Sequence, residues 1–303
     1  MTKSEQYTYS IIIPHYNIPK LLKRCLASIP KRKDLQIIVV DDKSSEEAIL
    51  FLQQIEHDFP HVSFVYSNVN GGGGRARNIG LQYAKGKYVL FADADDFFNY
   101  CINDILDEYI DNAYDIIYFN ANTLDTDSYL LTKRRSTLKD ALRMFSKDEN
   151  LDAFRYIFGE PWCKLVKREL IEKHNIMFDE ISIHNDTKYS YLIGYYAKEI
   201  KFDNRALYCL ADRSGSVSKG LTDEKYGIRT RVFAEKNRFL KDHRIPYFDK
   251  LMITPFLTYL RRGDKKNFNR CLTIAKEYGF GKQFIIKKIM WHILCSKFKI
   301  IIH

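Results

Sequence analysis

Apolar and polar positions alternate in blocks along the first hundred residues. Ser10-Ile11-Ile12-Ile13-Pro14 is a short apolar run that stops at a proline, the pattern of a buried strand. Residues 18–29 (IPKLLKRCLASI) carry apolar positions at helical spacing. A second buried strand, Leu35 to Val40, runs into Asp41-Asp42. The pattern then predicts a helix from Ser45 to about Asp58, with Ser44 or Ser45 as N-cap. Val62 to Ser67 is a third strand, Gly71 to Gly74 a glycine-rich loop, and Arg75 to Ala84 a helix. After a turn at Gly86-Lys87, a fourth strand from Tyr88 to Ala92 runs into Asp93-Ala94-Asp95-Asp96.

Strands alternating with helices predict an α/β fold, Rossmann-like, with a mostly parallel central sheet flanked by helices. Residues 101–112 read as a helix and Asp115 to Asn120 as a strand. Residues 121–150 are polar and charged and predict a loop plus a helix; 151–220 read as shorter mixed elements. From about residue 221 the pattern is mainly helical and rich in Lys and Arg. That change predicts a boundary near 220, with a domain over 1–220 and a helical basic extension over 221–303.

Composition changes the picture only in part. Hydrophobic residues make up 46% and charged residues 28% of the 303, which excludes a disordered chain. The net charge of +10 favours phosphates, nucleic acid or anionic lipid headgroups. No zinc-finger, RNP or basic-zipper pattern is present, so nucleic acid is not the expected partner. The six cysteines are spread along the chain with no CxxC pair, and the start MTKSEQYTYS has no apolar signal stretch. Reduced, mostly buried thiols in a cytoplasmic protein are therefore expected.

In open α/β sheets ligands bind at the carboxyl ends of strands. Asp41/Asp42 and Asp93/Asp95/Asp96 both stand at such ends. Carboxylates there can hold a hard divalent cation, or accept hydrogen bonds from a base or ribose. Taken alone, an acidic turn after a strand is common and usually just a set of solvated carboxylates. The intervening stretch Gly71 to Asn78 offers glycines that let the backbone approach a ligand, and the charges of Arg75 and Arg77. It fits G-x-G-x-x-G at no offset, which argues against a dinucleotide dehydrogenase.

Four segments, Ser10–Asn17 (SIIIPHYN), Val40–Ser44 (VDDKS), Gly74–Leu81 (GRARNIGL) and Tyr88–Asp96 (YVLFADADD), resemble in order and spacing the family 2 glycosyltransferases of GT-A fold. The resemblance implies an inverting transferase that uses a nucleotide-diphosphate sugar, most commonly of the uridine type, with Mn²⁺ or Mg²⁺. It divides the first domain into a nucleotide-sugar half, 1–98, and an acceptor half, 99–220. Pro14, Tyr16, Asp41, Asp42, Gly74, Arg75, Arg77, Asn78 and Asp93 become expected donor contacts, and Asp93, Asp95 and Asp96 expected metal ligands. Glu160–Ile171 (EPWCKLVKRELI) resembles the acceptor-side segment, which makes Trp162 and Lys164 acceptor candidates. Trp162 could equally belong to the core. The family's following acidic pair is here Asn185-Asp186-Thr187; Asp186 falls at the general base, and Asn185 replaces the glutamate as an acceptor candidate. Asp186 also suits a helix N-cap. Arg213–Lys219 (RSGSVSK) resembles the late loop near the donor diphosphate, with Arg213 as the expected contact.

Two rival functions fit a similar fold: a sugar-1-phosphate nucleotidyltransferase and a non-catalytic sugar-nucleotide or glycan-binding module. The first needs a glycine-rich signature directly after the first strand, where this chain has Pro14-His15-Tyr16-Asn17. The C-terminal stretch QFIIKKIMWHILCSKFKIII places Ile286, Ile289, Met290, Ile293 and Leu294 near one helix face, flanked by lysines. It suits a helix on an anionic membrane surface, and equally one docked on the protein with a solvated basic face. A lipid-linked glycan acceptor, for surface polysaccharide synthesis at the inner face of the cytoplasmic membrane, would give membrane contact a use.

Overall fold

The computed structural model describes residues 7–132, 136–212 and 221–297. Eight strands form one mixed sheet: β1 (Tyr9–His15), β2 (Leu35–Asp41), β3 (Val62–Tyr66), β4 (Tyr88–Phe91), β5 (Phe97–Phe98), β6 (Ile116–Asp125), β7 (Lys164–Lys167) and β8 (Ile200–Asp212), in the order β3-β2-β1-β4-β7-β6-β8-β5. β3, β2, β1 and β4 run parallel, β7 is antiparallel to both β4 and β6, and β8 lies parallel to β6. Every residue of β2 and β4 is buried, as is β1 apart from Pro14. This double-sided burial is why these strands read as continuous apolar runs.

The crossover helices are Pro19–Ala27, Glu46–Asp58 and Gly72–Tyr83. Ser45 caps the second, its hydroxyl accepting from Ala48 N–H. The third begins three residues earlier than the sequence pattern predicts, because the glycine-rich stretch forms its first turn. Gly80 lets this helix lie against β1: a Cβ there would stand 2.3 Å from Ile12 Cγ2.

By internal contacts the chain divides into two compact units, Met1–Ile181 with Lys188–Ser216, and Ser182–Thr187 with Val217–His303. The sheet and its helices form the first, around a core that includes Ile12, Val39, Phe91 and Phe119. Apart from the segment Ser182–Thr187 the second is mainly helical where described: Asp223–Asp242, a short 3₁₀ turn at Lys250–Ile253, Thr254–Arg262, Lys265–Glu277 and Lys282–Lys297. Its own core gathers Phe233, Met252, Phe256, Leu272, Ile285 and Ile289. The last helix is thus docked through Ile285 and Ile289, while Ile286, Met290, Trp291, Ile293 and Leu294 stay exposed. Among the described residues the five cysteines whose side chains are placed are free, four of them buried. No described helix is long and apolar enough to cross a membrane.

Candidate active site

β1 lies between β2 and β4, so the ends of those strands flank the end of β1. The register pairs His15 with Asp41. The two acidic clusters are thereby brought to one edge of the sheet, on either side of Pro14, His15 and Tyr16. Tyr16 is half-exposed there, and Pro14 is partly buried.

Asp41 is turned inward. Its Oδ1 accepts from His15 Nδ1 at 2.8 Å and from the Ser44 hydroxyl at 2.5 Å, and its Oδ2 accepts from Ser44 N–H at 2.9 Å. His15 Nε2 accepts from Ile18 N–H at 3.1 Å, which puts the ring proton on Nδ1, aimed at Asp41. Burial pushes the Asp41 carboxyl up, but the hydrogen bonds from His15 and Ser44 outweigh it and hold the group below its ordinary value. Asp42 is buried as well. Its two oxygens accept from Gly71 N–H at 2.9 Å and Gly72 N–H at 2.7 Å, so two amides that open the helix Gly72–Tyr83 are taken by this carboxylate. Both residues, expected to grip base and ribose, brace the strand ends from inside in this arrangement.

The remaining expected donor contacts divide in the same way. Arg77 is buried; its Nη2 donates to Asp93 Oδ1 at 2.6 Å and its guanidinium lies over the Phe178 ring at 5.5 Å. Asn78 pairs with both backbone groups of Phe178, accepting from its N–H at 2.9 Å and donating to its carbonyl at 3.0 Å. Gly74 is buried in the helix, while Arg75 is partly exposed and lies against Gly71. Arg213 lies outside the described residues.

After β4 the chain turns tightly, Asp96 N–H donating to Asp93 carbonyl at 3.0 Å. Asp93 and Asp95 stay partly exposed. Asp96 is 2% exposed and its Oδ1 accepts from Ala211 N–H at the end of β8, 2.7 Å away. It therefore ties the acidic turn to the end of β8. Among the described residues no three His, Cys, Asp or Glu side chains gather as a metal site.

Two residues that the sequence pattern did not single out hold this turn. Tyr208 on β8 receives Asp93 N–H on its hydroxyl at 2.7 Å. Arg24 donates to the Asp95 carbonyl at 2.6 Å and to Thr126 Oγ1 at 3.2 Å. Neither contact has a local signature, since the partners are 115 and 71 residues apart. Trp162 is 4% exposed and stacks on Tyr208 at 5.8 Å, and so backs the turn from the core. Lys164 is 1% exposed; its ammonium donates to Phe158 carbonyl at 2.7 Å and Ser190 Oγ at 3.0 Å. The acceptor candidates Trp162 and Lys164 are thus interior struts in this structure. Asn185 and Asp186 lie in the segment Ser182–Thr187 of the second unit, both partly exposed, directly before the helix Thr187–Tyr196.

Residues 10–174 match the family described as Glycosyl transferase family 2. YibD of Escherichia coli, an uncharacterized glycosyltransferase, is 28% identical over 267 residues, 81% of this chain and 74% of its own. The poly(ribitol-phosphate) beta-glucosyltransferase of Bacillus spizizenii is 30% identical over 174 residues, which are 56% of this chain and 26% of that enzyme. The crystal structure of S. aureus TarS 1-349 in complex with UDP-GlcNAc superposes with a TM-score of 0.59 at 19% identity, covering 89% of this chain and 91% of that one. Such a likeness shows the shared GT-A fold. Together these matches set aside the nucleotidyltransferase and the non-catalytic module. With the family matched over more than half its length, the chain belongs to glycosyl transferase family 2 and is a glycosyltransferase.

Proposed function

We propose that the protein is an inverting transferase that moves a sugar from a nucleoside-diphosphate donor, of the uridine type, to a hydroxyl of a glycan or lipid-linked glycan in the assembly of a cell-surface polymer. The observation that carries the reading is the turn after β4, where Asp93 and Asp95 remain partly exposed beside the end of β1 while neighbouring carboxylates face inward. The activity of the Bacillus spizizenii relative and the UDP-GlcNAc bound to TarS support the polymer and the donor class. In this reading residues 1–220 are the transferase domain and 221–303 an extension.

The partly exposed carboxylates of Asp93 and Asp95 fit Mn²⁺ or Mg²⁺, hard cations that prefer oxygen ligands and are commonly held by one or two carboxylates together with substrate phosphates. When bound, the ion would neutralise charge that grows on the departing diphosphate. Asp93 and Asp95 would hold it, with Arg77 fixing Asp93 through their 2.6 Å ion pair. Asp186 would take the proton of the acceptor hydroxyl as that oxygen attacks C1 opposite the leaving group.

The test is thermal stabilisation by UDP, GDP, CDP, dTDP and ADP, with and without Mn²⁺. A ligand that binds only the native state raises its melting temperature by mass action. UDP is expected to give a shift that needs Mn²⁺ and disappears in Asp95→Ala. A shift of equal size in Asp95→Ala would remove the metal from this turn.

For localisation, we propose that the second unit rests on an anionic membrane surface. The support is the exposed strip Ile286, Met290, Trp291, Ile293 and Leu294 on the last helix, in a unit that also exposes Lys287, Arg261 and Arg262. The protein is expected to sediment with vesicles containing phosphatidylglycerol but not with phosphatidylcholine alone, and Trp291→Ala with Leu294→Glu should reduce the bound fraction several-fold. Equal recovery in the supernatant with both vesicle types would refute the surface.

A further inference from the structure

The segment that carries Asp186 is held by the helical unit, through one residue in an uncommon conformation. His184 has φ 58°, in the left-handed region that few non-glycine residues adopt, histidine being one of the types enriched there. Its ring packs edge-on against Phe233 with centroids 4.9 Å apart, and its Nε2 accepts from Arg229 Nε at 3.0 Å. Arg229 and Phe233 are four residues apart on the helix Asp223–Asp242, so both present to one face. Arg229 is itself placed by a contact of its Nη1 with Thr254 Oγ1 at 3.4 Å, and that hydroxyl donates to Leu251 carbonyl at 2.9 Å. Beyond His184 the chain closes a turn, Thr187 N–H donating to the His184 carbonyl at 3.3 Å, with Asp186 inside it.

We propose that His184 and Arg229 are positioning residues: the helix Asp223–Asp242 sets the backbone of the turn 184–187, and with it the direction of the Asp186 carboxylate. The inference rests on Asp186 being the base. The chemistry of the pair suits a fixed anchor. Burial, with Arg229 beside it, lowers the His184 imidazole to about 4, so the ring stays neutral and Nε2 remains an acceptor throughout the neutral range. A guanidinium Nε–H facing a neutral ring nitrogen is directional, and the ring is held on its other side by Phe233. General-base catalysis depends on such placement, because an error of about 1 Å at a reacting group costs on the order of 10²-fold in rate.

The test is a double-mutant cycle on the full chain, with turnover expressed per nucleotide-binding site. His184→Phe keeps the ring on Phe233 and deletes the acceptor; His184→Gln offers an amide oxygen to Arg229 in its place. His184→Phe is expected to lower kcat by about 10–100-fold with donor KM unchanged. His184→Gln should recover most of that loss. Added to Asp186→Asn, His184→Phe should lower turnover no further, because a residue acting only through Asp186 has nothing left to position. Multiplying effects in the double variant, or wild-type turnover in His184→Phe, would overturn the inference while leaving Asp186 as base. Wild-type turnover in Asp186→Asn would instead remove the base and the inference with it.

Discussion

Asp186→Asn is expected to lower kcat by about 10²–10⁴-fold and to leave nucleotide-dependent stabilisation as in the wild type, the range that loss of a positioned general base produces. Asparagine keeps the size and one acceptor of aspartate but cannot take up a proton. An N-cap role predicts something else. Asparagine caps a helix as well as aspartate does, so a purely capping Asp186 would give a variant with near-normal turnover and stability. The substitution therefore separates the two roles in one experiment, with initial rates of sugar transfer and the UDP-induced melting shift measured on the same preparations. The retained shift matters as much as the lost rate, because it shows that the donor still binds and that the defect lies in the chemical step.

The parallel half of the sheet was legible because its strands are buried on both faces and end abruptly. Ile11–Ile13, Ile37–Val40 and Val89–Phe91 are all buried; β2 ends at Asp41 and β4 two residues before Asp93, while β1 continues past Pro14 to His15. In the rest of the sheet only the start of β6 was legible, as the strand read at Asp115 to Asn120. β8 runs 13 residues, but Asp203, Asn204 and Arg205 interrupt its apolar pattern, and two register shifts opposite Phe119–Ala121 break its alternation. A strand irregular in pairing has no period to read. The acidic clusters were legible as places in the fold, since strand-end position follows from the pattern. The direction of each carboxylate was not. Asp42, Asp93, Asp95 and Asp96 look alike in sequence, and what distinguishes them is whether Gly71, Arg77 or Ala211 arrives from a distant segment to engage the oxygens. For the same reason Lys164 read as an acceptor candidate, and Trp162 as one that could equally belong to the core: burial of an ammonium needs Phe158 carbonyl and Ser190 in place, which no local pattern announces.

Asp41→Asn is expected to destabilise the first unit by about 2–4 kcal/mol at neutral pH, from lost charged hydrogen bonds and one buried donor left without an acceptor. The argument is one of inventory. The carboxylate receives three donors, His15 Nδ1–H, Ser44 O–H and Ser44 N–H, split between its two oxygens. An asparagine amide has one acceptor oxygen and one donor nitrogen, so either orientation sets its NH₂ against a donor. His15 cannot readily yield by moving its proton to Nε2, which is already accepting from Ile18 N–H. The pH dependence follows in sign. A carboxyl held below its unfolded value stabilises the fold above that value, and the contribution is lost as pH falls through the folded value. The gap between wild type and Asp41→Asn in urea denaturation should therefore be full near pH 7 and shrink only below about 4, the ordinary aspartate range. A gap that persists unchanged to pH 2, or none at pH 7, would deny Asp41 its bracing role. If the variant is instead as stable as the wild type and has lost its UDP-induced melting shift, Asp41 acts on the donor directly, and the buried geometry described here opens when nucleotide binds.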